Sequence, residues 1–122
     1  MDNKEVIRTA LTSLFEDYRG KDSAFIKYFA PDFILWANGK TSDLEAFFAH
    51  FERLQLSIPN RTIDFVDLVS EGDIVFDQHV VTAIRSPDDK DFVDVFAKWT
   101  VVNGLITRGE ELTRRREASD SA

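Results

Sequence analysis

The chain has 122 residues, a formal net charge of −7 and no cysteine. Its length suits one domain with one hydrophobic core. The missing thiols exclude thiolate catalysis, disulfides and cysteine-ligated zinc or iron–sulfur centres, and the two histidines, His50 and His79, are too few for a three-histidine metal site.

An excess of 22 acidic over 15 basic residues disfavours a nucleic-acid backbone or an anionic bilayer as partner. The basic run Arg114-Arg115-Arg116 is followed by Glu117 and Asp120, and reads as the solvated end of a strand. No apolar run approaches the roughly 20 residues that span a bilayer. Met1-Asp2-Asn3-Lys4-Glu5 lacks the apolar centre of a signal peptide, so a cytoplasmic protein is expected.

In chain order, Val6, Ile7, Ala10, Leu11, Leu14, Phe15 and Tyr18 recur every three or four residues, which predicts a helix over residues 3–19. Asp2 and Glu5 have capping-box spacing at its start, and Gly20 would stop it. A short second helix, capped by Asp22 or Ser23 and carrying Phe25, Ile26 and Phe29, should end at Pro31. A brief strand at 33–37 is closed by Asn38-Gly39. Ser42 and Glu45 repeat the capping-box pattern before a third helix faced with Leu44, Phe47, Phe48, Phe51 and Leu54.

From Thr62 the apolar period becomes two. Strands are expected at 62–70, 74–85, 91–102 and 105–114, joined by Glu71-Gly72-Asp73, by Pro87-Asp88-Asp89-Lys90 and by Asn103-Gly104, the strongest hairpin signal of the three. Successive strands should pair antiparallel. One domain is expected over 1–116 and a disordered tail over 117–122.

Side-chain parity divides the long strands into two faces. Val75, Asp77, His79, Val81 and Ala83 share one with Val93, Val95, Ala97, Trp99 and Val101. This face is short of volume and suits the floor of a cavity roofed by phenylalanine-rich helices. The other, with Ile74, Phe76, Val80, Phe92 and Phe96, has no helix left to cover it, and predicts a homodimer through that face.

The chemistry-bearing candidates are few. His79 is either a general acid or base in the pocket or a hydrogen-bonded core histidine. Asp77 is either its functional partner, about 6.6 Å along the strand, or one end of a structural ion pair. Trp99 is a ligand platform or a core filler, and Trp36 could form part of the pocket mouth. Tyr18 and Tyr28 are core or rim residues with a phenol to donate. Asp67 interrupts the alternation of its strand, as an inward acid or as a bulge, the bulge being preferred. Counting from Leu105 turns Glu111, rather than Glu110, inward. No G-x-S-x-G, H-E-x-x-H, phosphate loop or G-x-G-x-x-G occurs, so no cofactor and no metal are expected.

Three helices with a strand between the second and third, followed by a four-stranded meander, resemble the nuclear-transport-factor-2-like (NTF2-like) superfamily, in its SnoaL-like and ketosteroid-isomerase-like branch. The resemblance runs from Val6 to Arg114. It is carried by Tyr28-Phe29-Ala30-Pro31-Asp32-Phe33, by Asp67-Leu68-Val69-Ser70-Glu71-Gly72-Asp73-Ile74-Val75 and by Trp99-Thr100-Val101-Val102-Asn103-Gly104-Leu105-Ile106. It implies an α+β fold, the NTF2-like (cystatin-like) cone, with three N-terminal helices packed on a curved antiparallel sheet around an apolar pocket.

The family's chemistry transfers poorly. In a gap-free register the isomerases' tyrosine, carboxylate base and protonated acid fall near Ser13, at Ala37 and near Ala97 or Lys98. The cyclases' acid falls at or beside Ala97. The dehydratases' two pocket histidines are represented by His79 alone. Two functions remain open. One is a SnoaL-like enzyme of isomerase, cyclase or dehydratase type, in which His79 and Asp77 move a proton on a small hydrophobic molecule held by Trp99, Trp36, Tyr28 and Glu111. The other is a non-catalytic dimeric module that binds a ligand or a protein.

Overall fold

A computed structural model describes residues 1–117. Helix α1 (Asn3–Glu16) starts where Asp2 accepts a hydrogen bond from the Glu5 amide, at 2.9 Å. Its last backbone bond runs from Asp17 to Ser13, so it stops three residues short of the expected end. Strand β1 (Phe29–Ala37) turns through Asn38-Gly39 into β2 (Lys40–Asp43), and α2 (Leu44–Ser57) follows. Four long strands complete the chain: β3 (Arg61–Glu71), β4 (Ile74–Ser86), β5 (Asp89–Val102) and β6 (Leu105–Arg115). The expected tail lies, apart from Glu117, outside the described residues.

Among the described residues the expected second helix is absent and the α-helices number two. Gly20–Asp22 and Ala24–Tyr28 form two 3₁₀ turns instead. The reason lies in how two serines are used. Ser23 Oγ accepts from the amide of Arg19 behind it, at 2.6 Å, and so does not cap anything ahead. The Phe25 amide is taken by Ser13 Oγ of α1, at 3.0 Å. Pro31 does not end a helix either. It sits in β1, inside the interval from Phe29 to Ile34 where the ladder to β6 is irregular and no amide is needed.

The cap of α2 is Asp43, whose carboxylate accepts from the Ala46 amide at 2.9 Å, rather than Ser42 one residue earlier. The strand β2 was not legible, because four polar residues show no alternation. It exists because Asn38 and Gly39 take φ of 52° and 88°, which folds Lys40–Asp43 back on β1.

The six strands form one sheet in the order β2-β1-β6-β5-β4-β3. The meander pairs antiparallel throughout, while β1 joins β6 in parallel. Two irregularities control which side chains face inward. In β3 the register slips between Phe65 and Asp67, so the bulge occurs where the alternation fails, and Asp67 lies exposed opposite Gln78. Between β5 and β6 it slips at Thr100/Val101. Arg114, Arg115 and Arg116 pair across to Asp94 and Asp91 of β5 at 2.7–3.3 Å.

The concave face of the sheet holds the core together with α1 and α2. Phe25, Phe29, Phe33, Phe47 and Phe51 are buried there with Ile7, Leu11, Leu14 and Trp99. Their rings meet edge-on or tilted at centroid distances of 4.9–6.2 Å. Tyr18, beyond the end of α1, donates its hydroxyl to Glu52 of α2, and its own pKa is pushed up to about 12, by burial first and by Glu52 second. Among the described residues no helix is long and apolar enough to cross a membrane.

Trp99 lies flat over β6 because residue 109 is glycine. A Cβ there would stand 2.5 Å from Trp99 Cζ3 and 3.0 Å from Leu35 Cδ1. Gly109→Ala should therefore cost about 1–3 kcal/mol of stability and shift the tryptophan emission, both readable in urea unfolding curves. Unchanged stability would mean that the ring moves aside freely.

Candidate functional site

The inner face can be read as rows running across the strands. One row joins Lys40, Ala37, Glu111, Ala97 and Asp77. The row on one side of it runs Leu35, Gly109, Trp99, Val75, and the row on the other runs Thr113, Val95, His79, Phe65. The two alanines and the glycine leave the middle of the face empty. Above it, Leu11, Leu14 and Phe15 of α1 and Phe47, Phe51 and Leu54 of α2 close a cavity of about 740 Å³, within the size range of small-molecule sites.

Asp77 and His79 touch, which their separation along the strand alone did not require. His79 Nδ1 lies 2.8 Å from Asp77 Oδ2 and 3.0 Å from Oδ1. Trp99 Nε1 donates to the same Oδ2 at 3.2 Å. A carboxylate only accepts, so Nδ1 carries the proton and the imidazole is held as the tautomer with Nε2 unsubstituted. Both side chains are buried, the Asp77 carboxylate at 0% exposure. The imidazole lines the cavity, between the rings of Phe15 and Phe65 at 6.2 and 5.8 Å, and Nε2 has no hydrogen bond among the described residues. Asp77 stands behind it and does not line that cavity. It holds the imidazole from behind through Nδ1.

Glu111 is the one carboxyl group among the cavity-lining residues. It faces inward although Leu105, from which parity was counted, does not. Leu105 pairs with the exposed Val102, and the irregularity beside Thr107 changes the parity before Gly109 and Glu111 are reached. Burial raises its pKa above the ordinary glutamate value and the Asp77 carboxylate adds to this, with His79 pulling the other way. Its backbone is held by Asn38, whose amide donates to the Glu111 carbonyl at 3.1 Å and whose side chain exchanges two bonds with Thr113.

Two of the remaining candidates, Trp36 and Tyr28, fall elsewhere. Trp36 points to the convex face, because Phe33 and Leu35 on either side of it face the core. It borders a groove of about 420 Å³ with Phe76, Phe96 and Leu112. Tyr28 ends the second 3₁₀ turn under the ammonium of Lys27, away from the cavity. Trp99 does line the cavity.

His50 lines it as well and was missed, since on α2 it lies off the apolar stripe that the periodicity picks out. Its pKa is lowered by partial burial first, then by Arg53 and Arg61. Glu111 pairs with both Ala37 and Ala97, which places its carboxyl group between the two alanine positions. No group of three or more potential metal ligands gathers among the described residues.

Residues 9–109 match the SnoaL-like domain. An uncharacterized protein of Schizosaccharomyces pombe is 25% identical over 112 residues, 92% of this chain and 85% of that protein. Among solved structures, the chain resembles a candidate SnoaL-like polyketide cyclase of Shewanella putrefaciens at a TM-score of 0.74 and 12% identity, over 93% of this chain and 80% of that one. It also resembles IdmH of Streptomyces antibioticus, a candidate polyketide cyclase, at 0.72 and 17%, over 92% of each chain. AclR of Streptomyces galilaeus, a candidate hydroxylase, gives 0.73 and 15%, over 93% and 91%. These structural likenesses establish the fold.

The raised pKa of Glu111 has a defined consequence for stability. The unfolded chain loses this proton near 4.5, the folded chain at a higher pH. The stabilisation is thus complete below the unfolded value and declines as pH rises through the folded one. In urea unfolding across that range, Glu111→Gln should show a shallower loss of stability with rising pH than the wild type. Parallel curves would mean that Glu111 ionises normally.

Proposed function

Because the chain belongs to the SnoaL-like domain family of the NTF2-like superfamily, we propose that its cavity binds a small hydrophobic molecule bearing a carbonyl group and moves a proton on it. The observation that carries this reading is the 2.8 Å contact of His79 Nδ1 with the buried Asp77, which leaves Nε2 directed at the cavity. Nε2 takes a proton from the carbon next to the carbonyl, and the imidazolium is stabilised by Asp77 through Nδ1–H. The oxygen of the resulting enolate accepts a hydrogen bond from Glu111, whose raised pKa favours the protonated form. Return of the proton from Nε2 to another position completes an isomerisation. Attack of the enolate carbon on a second carbonyl, with the proton on Nε2 passed to the alkoxide so formed, would complete a cyclisation.

The test is exchange of the α-protons for deuterium in ketones that raise the melting midpoint of the wild type. His79→Ala should bind the same ketones and exchange them about 10²–10⁴-fold more slowly. Equal exchange by the variant would remove His79 from the mechanism. Binding without exchange by the wild type would favour a non-catalytic binding module.

A second copy of the chain is the proposed partner of the convex face. Val69, Phe76, Phe96 and Leu112 are 52–60% exposed there, an apolar patch that two-fold symmetry would set against itself. Phe76→Asp with Phe96→Asp should halve the mass measured by light scattering. A wild-type chain already monomeric at micromolar concentration would refute the dimer.

A further inference from the structure

The cavity is apolar at depth, but its exposed lip carries Lys40 of β2 together with His50 and Arg53 of α2. His50 and Arg53 are three residues apart and so share a face of the helix. Lys40 joins the same lip because the Asn38-Gly39 turn folds β2 back on β1. In a chain with seven more acidic than basic residues, such cations would be expected to find carboxylates. Seven of the nine arginines do: Arg8, Arg19, Arg85, Arg108, Arg114, Arg115 and Arg116 are all ion-paired.

Arg53 does not, and neither its side chain nor that of Lys40 makes a hydrogen bond or ion pair among the described residues. The other arginine without a carboxylate, Arg61, lies buried close by with its guanidinium on the carbonyls of Ile58 and Leu14. Asp43, near the lip on β2, is turned to the Ala46 amide as the cap of α2. Glu111 is the only acid lining the cavity itself among the described residues. The pKa of His50, on the same lip, is lowered by burial first and then by the charges of Arg53 and Arg61.

We propose that the natural ligand is an amphipathic organic acid, its apolar body against Trp99 and Phe51 and its carboxylate between Lys40 and Arg53 at the mouth. This rests on the reading of the cavity as the ligand site, and it adds the substrate class. A charge-assisted hydrogen bond to the carboxylate contributes differently from burial of the body, so the two can be separated by removing the charge from the ligand.

The experiment is calorimetric titration of the full chain with naphthylacetic acid, phenylbutyric acid and decanoic acid, each beside its primary amide. The acids should bind about tenfold more tightly than the amides, and the advantage should shrink with added salt. Lys40→Gln with Arg53→Gln, both exposed and unpaired, should abolish the advantage and leave amide binding unchanged. Lys4→Gln with Lys90→Gln, which makes the same change in net charge elsewhere, should preserve it. Equal binding of acids and amides by the wild type overturns the carboxylate assignment while the cavity stands, as does an advantage that survives the double substitution at the lip. Failure of the wild type to bind any of the six compounds overturns the cavity reading and the assignment together.

Discussion

A fully buried carboxylate that accepts hydrogen bonds from two strands holds the interior of this protein in place. Asp77 receives His79 Nδ1–H from its own strand and Trp99 Nε1–H from the neighbouring one. A charge taken out of water in this way is tolerable only when its oxygens are satisfied, and here both donors are themselves buried rings with few alternatives. Removing Asp77 would strand two donors in the core, and removing either donor would leave the carboxylate short. The three side chains therefore form one unit, and its geometry fixes the imidazole tautomer, the plane of the indole and the shape of the cavity floor together.

That unit depends in turn on what is missing around it. Ala37, Ala97 and Gly109 supply almost no side-chain volume in the middle of the sheet, and Trp99 lies across the glycine. The space so created is the cavity. Away from the lip, the polar groups that line it come from β6 and β4, with Glu111 flanked by the two alanines. Because adjacent strands are only about 4.8 Å apart, a shift of one strand keeps a carboxyl group within reach of the same volume. The Glu111 carboxyl group on β6 therefore faces the same space as the alanine positions beside it.

The two faces of the sheet have opposite problems, and the sequence solves only one of them internally. The concave face is roofed by α1 and α2 and sealed by phenylalanines of α2, β1 and the second 3₁₀ turn. The convex face keeps Phe76 and Phe96 more than half exposed. At the mouth of the cavity, Lys40 and Arg53 have no carboxylate partner among the described residues, whereas seven of the nine arginines do. The cavity thus combines apolar depth, a positively charged lip and the His79 imidazole in its wall.

The strands of the meander, the faces of α1 and α2, the Asn103-Gly104 turn and the bulge before Asp67 could all be read from the chain. Each is governed by local periodicity or by residues whose backbone preferences are strong, and the SnoaL-like relationship followed from their order. The second helix failed for a physical reason: Ser13 and Ser23 spend their hydroxyls on amides that only the fold brings near, and a local pattern cannot register that competition. Glu111 was assigned inward by counting that ignored the irregularity beside Thr107, and the position is correct because Leu105 is not an inward residue. Trp36 went to the opposite face, and His50 went unnoticed, because a cavity wall is assembled from separate elements and leaves no period in any one of them. Asp77 and His79 were identifiable as neighbours on one face by sequence alone. Only the tertiary structure decided that they touch, since the contact is set by the indole of Trp99 pressing in from the next strand.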